Sequence, residues 1–191
     1  MNKVLLFFVM QLFIFPSLLI GQQLNQKIGL FNDNKDIGNV KYPGSAVYDD
    51  ENQQYILEGS GSNIWFESDE FHYLFKKIKG DFILTAQVEF KGEGVDSHRK
   101  IGWMVRESLD ESAAQLSAAV HGDGLTSLQY RLTKSDKMDE KKMSVQSPNI
   151  IRLIREGNIF TMSVAHLGDT FVSERIANCS IPEEAYVGLF I

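Results

Sequence analysis

Between residues 81 and 131, apolar and polar side chains alternate with a period of two, in short runs punctuated by Gly, Asp and Ser. In residues 81–91, Phe82, Leu84, Ala86, Val88 and Phe90 share one side, and Ile83, Thr85, Gln87 and Glu89 the other. In residues 100–106, Ile101, Trp103 and Val105 oppose Gly102, Met104 and Arg106. Leu116, Ala118 and Val120 then alternate with Ser117, Ala119 and His121. Beyond Gly122-Asp123-Gly124, Leu128 and Tyr130 alternate with Ser127, Gln129 and Arg131. Successive strand side chains point to opposite faces, so each run predicts a strand with one apolar side for a core and one polar side. Further strands are expected over 150–155, 159–165 and 185–191, with shorter ones at 55–58, 64–67 and 72–76. "REGN" (155–158) reads as a hairpin turn. No stretch has the period of a long amphipathic helix, and neither repeat nor linker divides the chain. The pattern predicts one all-β domain over residues 22–191.

The first twenty-one residues depart from this pattern. Lys3 precedes an apolar run over 4–15, Pro16 and Ser17 break it, and a cut before Gln22 completes the layout of a secretory signal peptide. The run is short for a spanning helix, which needs about 20 apolar residues. The expected location is therefore secreted, periplasmic or cell-surface, with no membrane attachment after cleavage. Net charge is −6, and becomes −7 once Lys3 is removed. Nucleic acid and anionic membranes both require clustered positive charge, so neither is an expected partner. The one basic cluster, over 137–142, is interrupted by Asp139 and Glu140 and reads as a solvated hairpin tip. Cys179 is the sole cysteine, so no internal disulfide can form, and it is expected to be a small buried filler. The four histidines show no zinc-motif spacing along the chain.

Four blocks in this order carry a resemblance: "DIGNVKYPGSAVYD", "YILEGSGSNIWFESDEFHYLFKKIKGDFILTAQVEF", "HRKIGWMVRESLDESAAQLSAAVHGDGLTSLQYR" and "REGNIFTMSVAHLGD…YVGLFI". Together they span nearly all of 28–191, and resemble a bacterial concanavalin-A-like lectin/glucanase domain. The branch in question accompanies some β-xylosidases and precedes TolB-like propellers in exported proteins. The resemblance implies a jelly-roll of two antiparallel sheets. It also implies a closing strand beyond "VGLFI", so the sandwich is expected to lack its last C-terminal strand, and a propeller domain is a possible downstream partner.

Jelly-roll glycanases flank the scissile bond with two carboxylates on one strand face. In "RESLDES", Glu107 and Glu111 are four apart, but the intervening residues read as a turn and Leu109 stands where the motif needs an acid. His121 and Asp123 could form an acid/base pair, yet Gly122 and Gly124 mark a structural turn. The chain therefore reads as non-catalytic, with a divergent glycoside hydrolase as an alternative. Carbohydrate is the expected ligand, bound on a polar sheet face by Arg106, His121, Gln129 and Arg131, with Trp65 as a stacking platform. The competing role for the two arginines is ion pairing with Glu89 or Glu107. A structural or interaction domain of a larger envelope protein is the other alternative. "NDNKDIG" and "DDENQ" offer clustered oxygens, making Asp33, Asp36 and Asp49 candidate ligands of a structural calcium, an idea that related sandwiches support.

Overall fold

The computed structural model describes residues 28–191, and the expected signal peptide lies outside them. Thirteen strands are present among the described residues: β1 (Asp33–Ile37), β2 (Ser45–Asp49), β3 (Gln54–Glu58), β4 (Phe71–Lys79), β5 (Phe82–Gln87), β6 (Lys100–Arg106), β7 (Gln115–His121), β8 (Thr126–Arg131), β9 (Asp139–Lys142), β10 (Ile150–Glu156), β11 (Ile159–Ala165), β12 (Val172–Ile176) and β13 (Glu184–Phe190). A seven-stranded sheet runs β1-β4-β13-β6-β7-β8-β9, and a four-stranded sheet runs β12-β11-β10-β5. The hairpin β2-β3 stands beside them. Every pairing is antiparallel. This is an all-β antiparallel sandwich. Among the described residues no helix is long and apolar enough to cross a membrane.

The alternation supplies the core. Leu74, Trp103, Val105, Leu116, Ala118, Val120, Leu128 and Val187 of the large sheet meet Ile151, Leu153, Phe160, Met162 and Val164 of the small one. Interdigitating apolar side chains between two sheets are the main stabilising contribution to such a sandwich. Cys179 is buried in the same cluster, as its filler role requires. β13 lies between β4 and β6 and pairs along both edges, Leu189 facing Leu74 on one side and Trp103 on the other.

Several regions differ from the sequence expectation: β1, β2 and β12 form where no strand was expected, and two further stretches change character. Residues 64–67 are not a strand: only an isolated bridge joins Ile64 to Asp69, inside an irregular segment over 59–70. The basic tip over 137–142 contains a strand instead, β9, which pairs with β8 from Asp139 to Lys142. Charged side chains on β9 suit an exposed sheet edge, where lysine discourages pairing with another chain.

The 59–70 segment returns across the large sheet, on the face turned away from the core. Close approach demands small residues along its path. A Cβ at Gly61 would collide with the Glu70 carbonyl, and one at Gly38 (φ +71°) with the Asp69 carbonyl. Beneath the segment a second apolar cluster forms from Ile37, Ile64, Phe71, Tyr73, Phe75, Met104, Ala119 and Phe190. As a result β7 is buried along its whole length and β8 along nearly all of it, on both faces.

Candidate functional site

The face expected to be open and polar is closed by the chain itself. Arg106 and Arg131 are both 0% exposed. Between them lies Asp69, equally buried, which neither glutamate expectation anticipated. Its Oδ2 accepts from Arg106 Nη1 at 2.6 Å and from Arg131 Nη1 at 2.9 Å, and its Oδ1 accepts from Arg131 Nη2 at 2.7 Å. The remaining Arg131 donors go to the carbonyls of Asp136, Ala113 and Phe66. Arg106 donates further to the carbonyls of Ser108 and Asp110. One carboxylate thus clamps the 59–70 segment to two strands, a buried bidentate arrangement well matched to guanidinium geometry. These arginines have essentially no donors left for a ligand, which corrects their placement on an open face.

Farther along the same face the polar side chains are less well satisfied. Register places Ser117 opposite Gln129, Ala119 opposite Ser127 and Lys100 opposite His121. The buried atoms Ser117 Oγ, Ser127 Oγ, Gln115 Oε1, Gln129 Oε1 and His121 Nδ1 have no hydrogen-bond partner within the chain. Buried polar atoms are nearly always paired, so a group of partnerless ones points to water or a ligand. Trp65, half-buried in the covering segment, flanks this patch, with Lys100 Nζ 5.7 Å from its ring centroid and 3.3 Å from the Ile64 carbonyl oxygen. Burial lowers the Lys100 amine to about 8, against a partial lift from Asp69 and Glu140. Burial also lowers the His121 imidazole to about 4, helped by the nearby Lys100 charge.

The "HGDG" stretch makes the expected turn. Gly124 N donates to the His121 carbonyl, Leu125 N donates to Asp123 Oδ1, and Gly124 sits at φ +94°. The fold adds something that chain spacing conceals. His98, twenty-three residues upstream, lies beside the turn, its Nδ1 3.6 Å from Asp123 Oδ2 and its ring centroid 5.8 Å from that of His121. Among the described residues, His98, His121 and Asp123 are the one group of three whose potential ligand atoms lie mutually close, within 4.8 Å.

The calcium candidates are not brought together. Asp33 Oδ1 accepts from Asn34 N, Asp36 accepts from Gly44 N and pairs with His72 Nδ1 at 2.8 Å, and Asp49 caps the β2-β3 turn through Glu51 N, Asn52 N and Asn52 Nδ2. Each aspartate is occupied by a separate local task. Glu107 Oε1 accepts from Ala114 N, and Asp110 bonds Ser112 and Lys134, so the acidic stretch forms the β6-β7 turn rather than a carboxylate pair on a strand.

In class the chain is a two-sheet antiparallel sandwich with an internally covered outer face. No protein family matches it, and no curated protein does. Among solved structures it is similar to a functionally unknown protein from Saccharomyces cerevisiae, with a TM-score of 0.54 and 16% identity over 82% of this chain and 85% of that one. That likeness concerns the fold alone. These comparisons give the lectin/glucanase resemblance of the sequence blocks no support.

Proposed function

We infer that the chain is a non-catalytic carbohydrate-binding or accessory module. Its ligand site would lie on the unsatisfied part of the outer face, not across the whole sheet. The observation that carries this reading is the row of partnerless buried polar atoms on β7 and β8, at Ser117, Ser127 and Gln129, flanked by Trp65. Sugars present alternating hydroxyls and apolar ring faces. A ring face suits the half-buried Trp65 indole, whereas Ser117, Ser127 and Gln129 are at most 1% exposed, so sugar hydroxyls would reach their atoms only where the 59–70 segment gives way. Arg106 and Arg131 serve this site by fixing the segment that carries Trp65. An exported location fits such a role, and the family resemblance favours it.

The closure of the outer face by the chain's own segment also supports a second reading, a structural or interaction domain that packs against a neighbouring protein or a propeller domain. The stretch considered for a hydrolase's carboxylate pair is tied into the β6-β7 turn, with Glu107 accepting from Ala114 N and Asp110 from Ser112 N and Lys134 Nζ, which does not favour that reading. Affinity electrophoresis through gels containing plant and bacterial polysaccharides, with Trp65→Ala and Gln129→Ala beside wild type, separates the two. The module reading expects retardation by at least one polysaccharide, weakened about tenfold in each variant. No retardation by any gel, or equal retardation of all three proteins, would favour the interaction domain.

A further inference from the structure

We propose that His98, His121 and Asp123 form a binding site for one divalent transition-metal ion of the zinc type. Two imidazoles and a carboxylate are the donor set of open three-ligand sites, whereas calcium and magnesium favour oxygen ligands throughout. The three residues come from segments that the backbone already locks together. Gly122 N donates to the Arg99 carbonyl at 2.9 Å and Asp123 N to the Ser97 carbonyl at 2.8 Å.

His121 is the fixed member. It is 5% exposed, and its buried Nδ1 has no partner in the chain. A nitrogen removed from water and left unpaired, next to a second imidazole and a carboxylate, is what a coordination site looks like before the ion arrives. His98 and Asp123 are the adjustable members, with side chains 67% and 37% exposed. Ligand bonds of about 2.0–2.1 Å place tetrahedral donors about 3.3 Å apart. Donors now within 4.8 Å of one another therefore need shifts of about 1 Å, which an exposed histidine and a turn aspartate can make.

The outer shell fits as well. His121 Nε2 lies 3.1 Å from the side-chain nitrogen of Gln129. With that amide turned over, Gln129 Oε1 accepts from Nε2–H, which leaves the Nδ1 lone pair for the metal. The exchange gives up a 3.4 Å contact from Gln129 to Glu140 and leaves Oε1 facing that carboxylate, a cost that the metal bond must offset. Lys100, opposite His121, directs its ammonium to the Ile64 carbonyl. Three protein ligands leave a fourth position on the solvent side of His98.

The test is isothermal titration of the tag-free full chain with Zn²⁺, paralleled by the visible absorption of the Co²⁺ form. The proposal expects one equivalent bound, a tetrahedral-intensity Co²⁺ spectrum, and affinity at least about tenfold weaker in His98→Ala and in Asp123→Ala. Both side chains are exposed, and because Asp123→Ala also removes the acceptor of Leu125 N in the turn, metal-free urea unfolding is compared to show that each variant still folds cooperatively. His166→Ala, which alters an exposed histidine elsewhere, should bind as wild type does. The proposal is overturned if wild type binds no better than a His98→Ala/Asp123→Ala double variant, or if the loss follows His166 instead.

Discussion

At the scale of single residues, the decisive question is which buried polar groups are paired. Arg131 has a partner for each of its donors, and this is why a charged side chain can tolerate complete burial. Lys100 is the opposite case: it is 9% exposed and has one carbonyl acceptor and an indole for company. Its amine falls from 10.5 to about 8 on folding. Below pH 8 the lysine is charged in both states, and burial penalises the folded one. Between pH 8 and 10.5 the folded chain has released a proton that the unfolded chain still holds, so stability rises with pH, by about 3 kcal/mol in total. Lys100→Met removes this dependence. Urea denaturation should show wild type gaining on the variant across that window, and parallel stability profiles would contradict the assignment.

At the scale of elements, the strands were largely legible and the 59–70 segment was not. β6 matches the predicted run residue for residue, and β11 does likewise, because a period of two with one apolar side specifies a strand directly. The same pattern misled about the other side of β7 and β8. Ser117, Gln129 and Arg131 look solvent-facing in one dimension, and only the return of a distant segment buries them. The missed residue is Asp69. "ESDEF" reads as surface acid, and its single signal was the presence of two arginines on the same face of β6 and β8, the strands that flank β7. His98 escaped notice for a similar reason, since its proximity to His121 is a property of the fold and not of chain spacing. β9 and β12 are short and charged or exposed at sheet edges, where periodicity carries little information. The clamp predicts a large mutational effect from one element on another. Asp69→Ala leaves two guanidinium groups buried without their counter-charge, and should destabilise the chain by about 3–5 kcal/mol in chemical denaturation.

At the scale of the whole molecule, the sandwich core and the covered outer face are two packing systems that share one sheet. The core between the sheets holds the fold, while the smaller cluster beneath residues 59–70 depends on the Asp69 clamp. On this sheet the buried polar atoms without partners at His121, Ser127 and Gln129 lie outside the clamp, and the proposed binding is confined to that part. The site exists only while that segment is seated in the native chain. Hydrogen exchange resolved to single amides tests it most directly. In wild type the Asp69 and Glu70 amides, which donate to the Glu111 and Asn63 carbonyls, should exchange as slowly as neighbouring strand amides. In Asp69→Asn both should lose protection while β10 and β11 keep theirs. Exchange of residues 59–70 at unprotected rates in wild type would contradict the account.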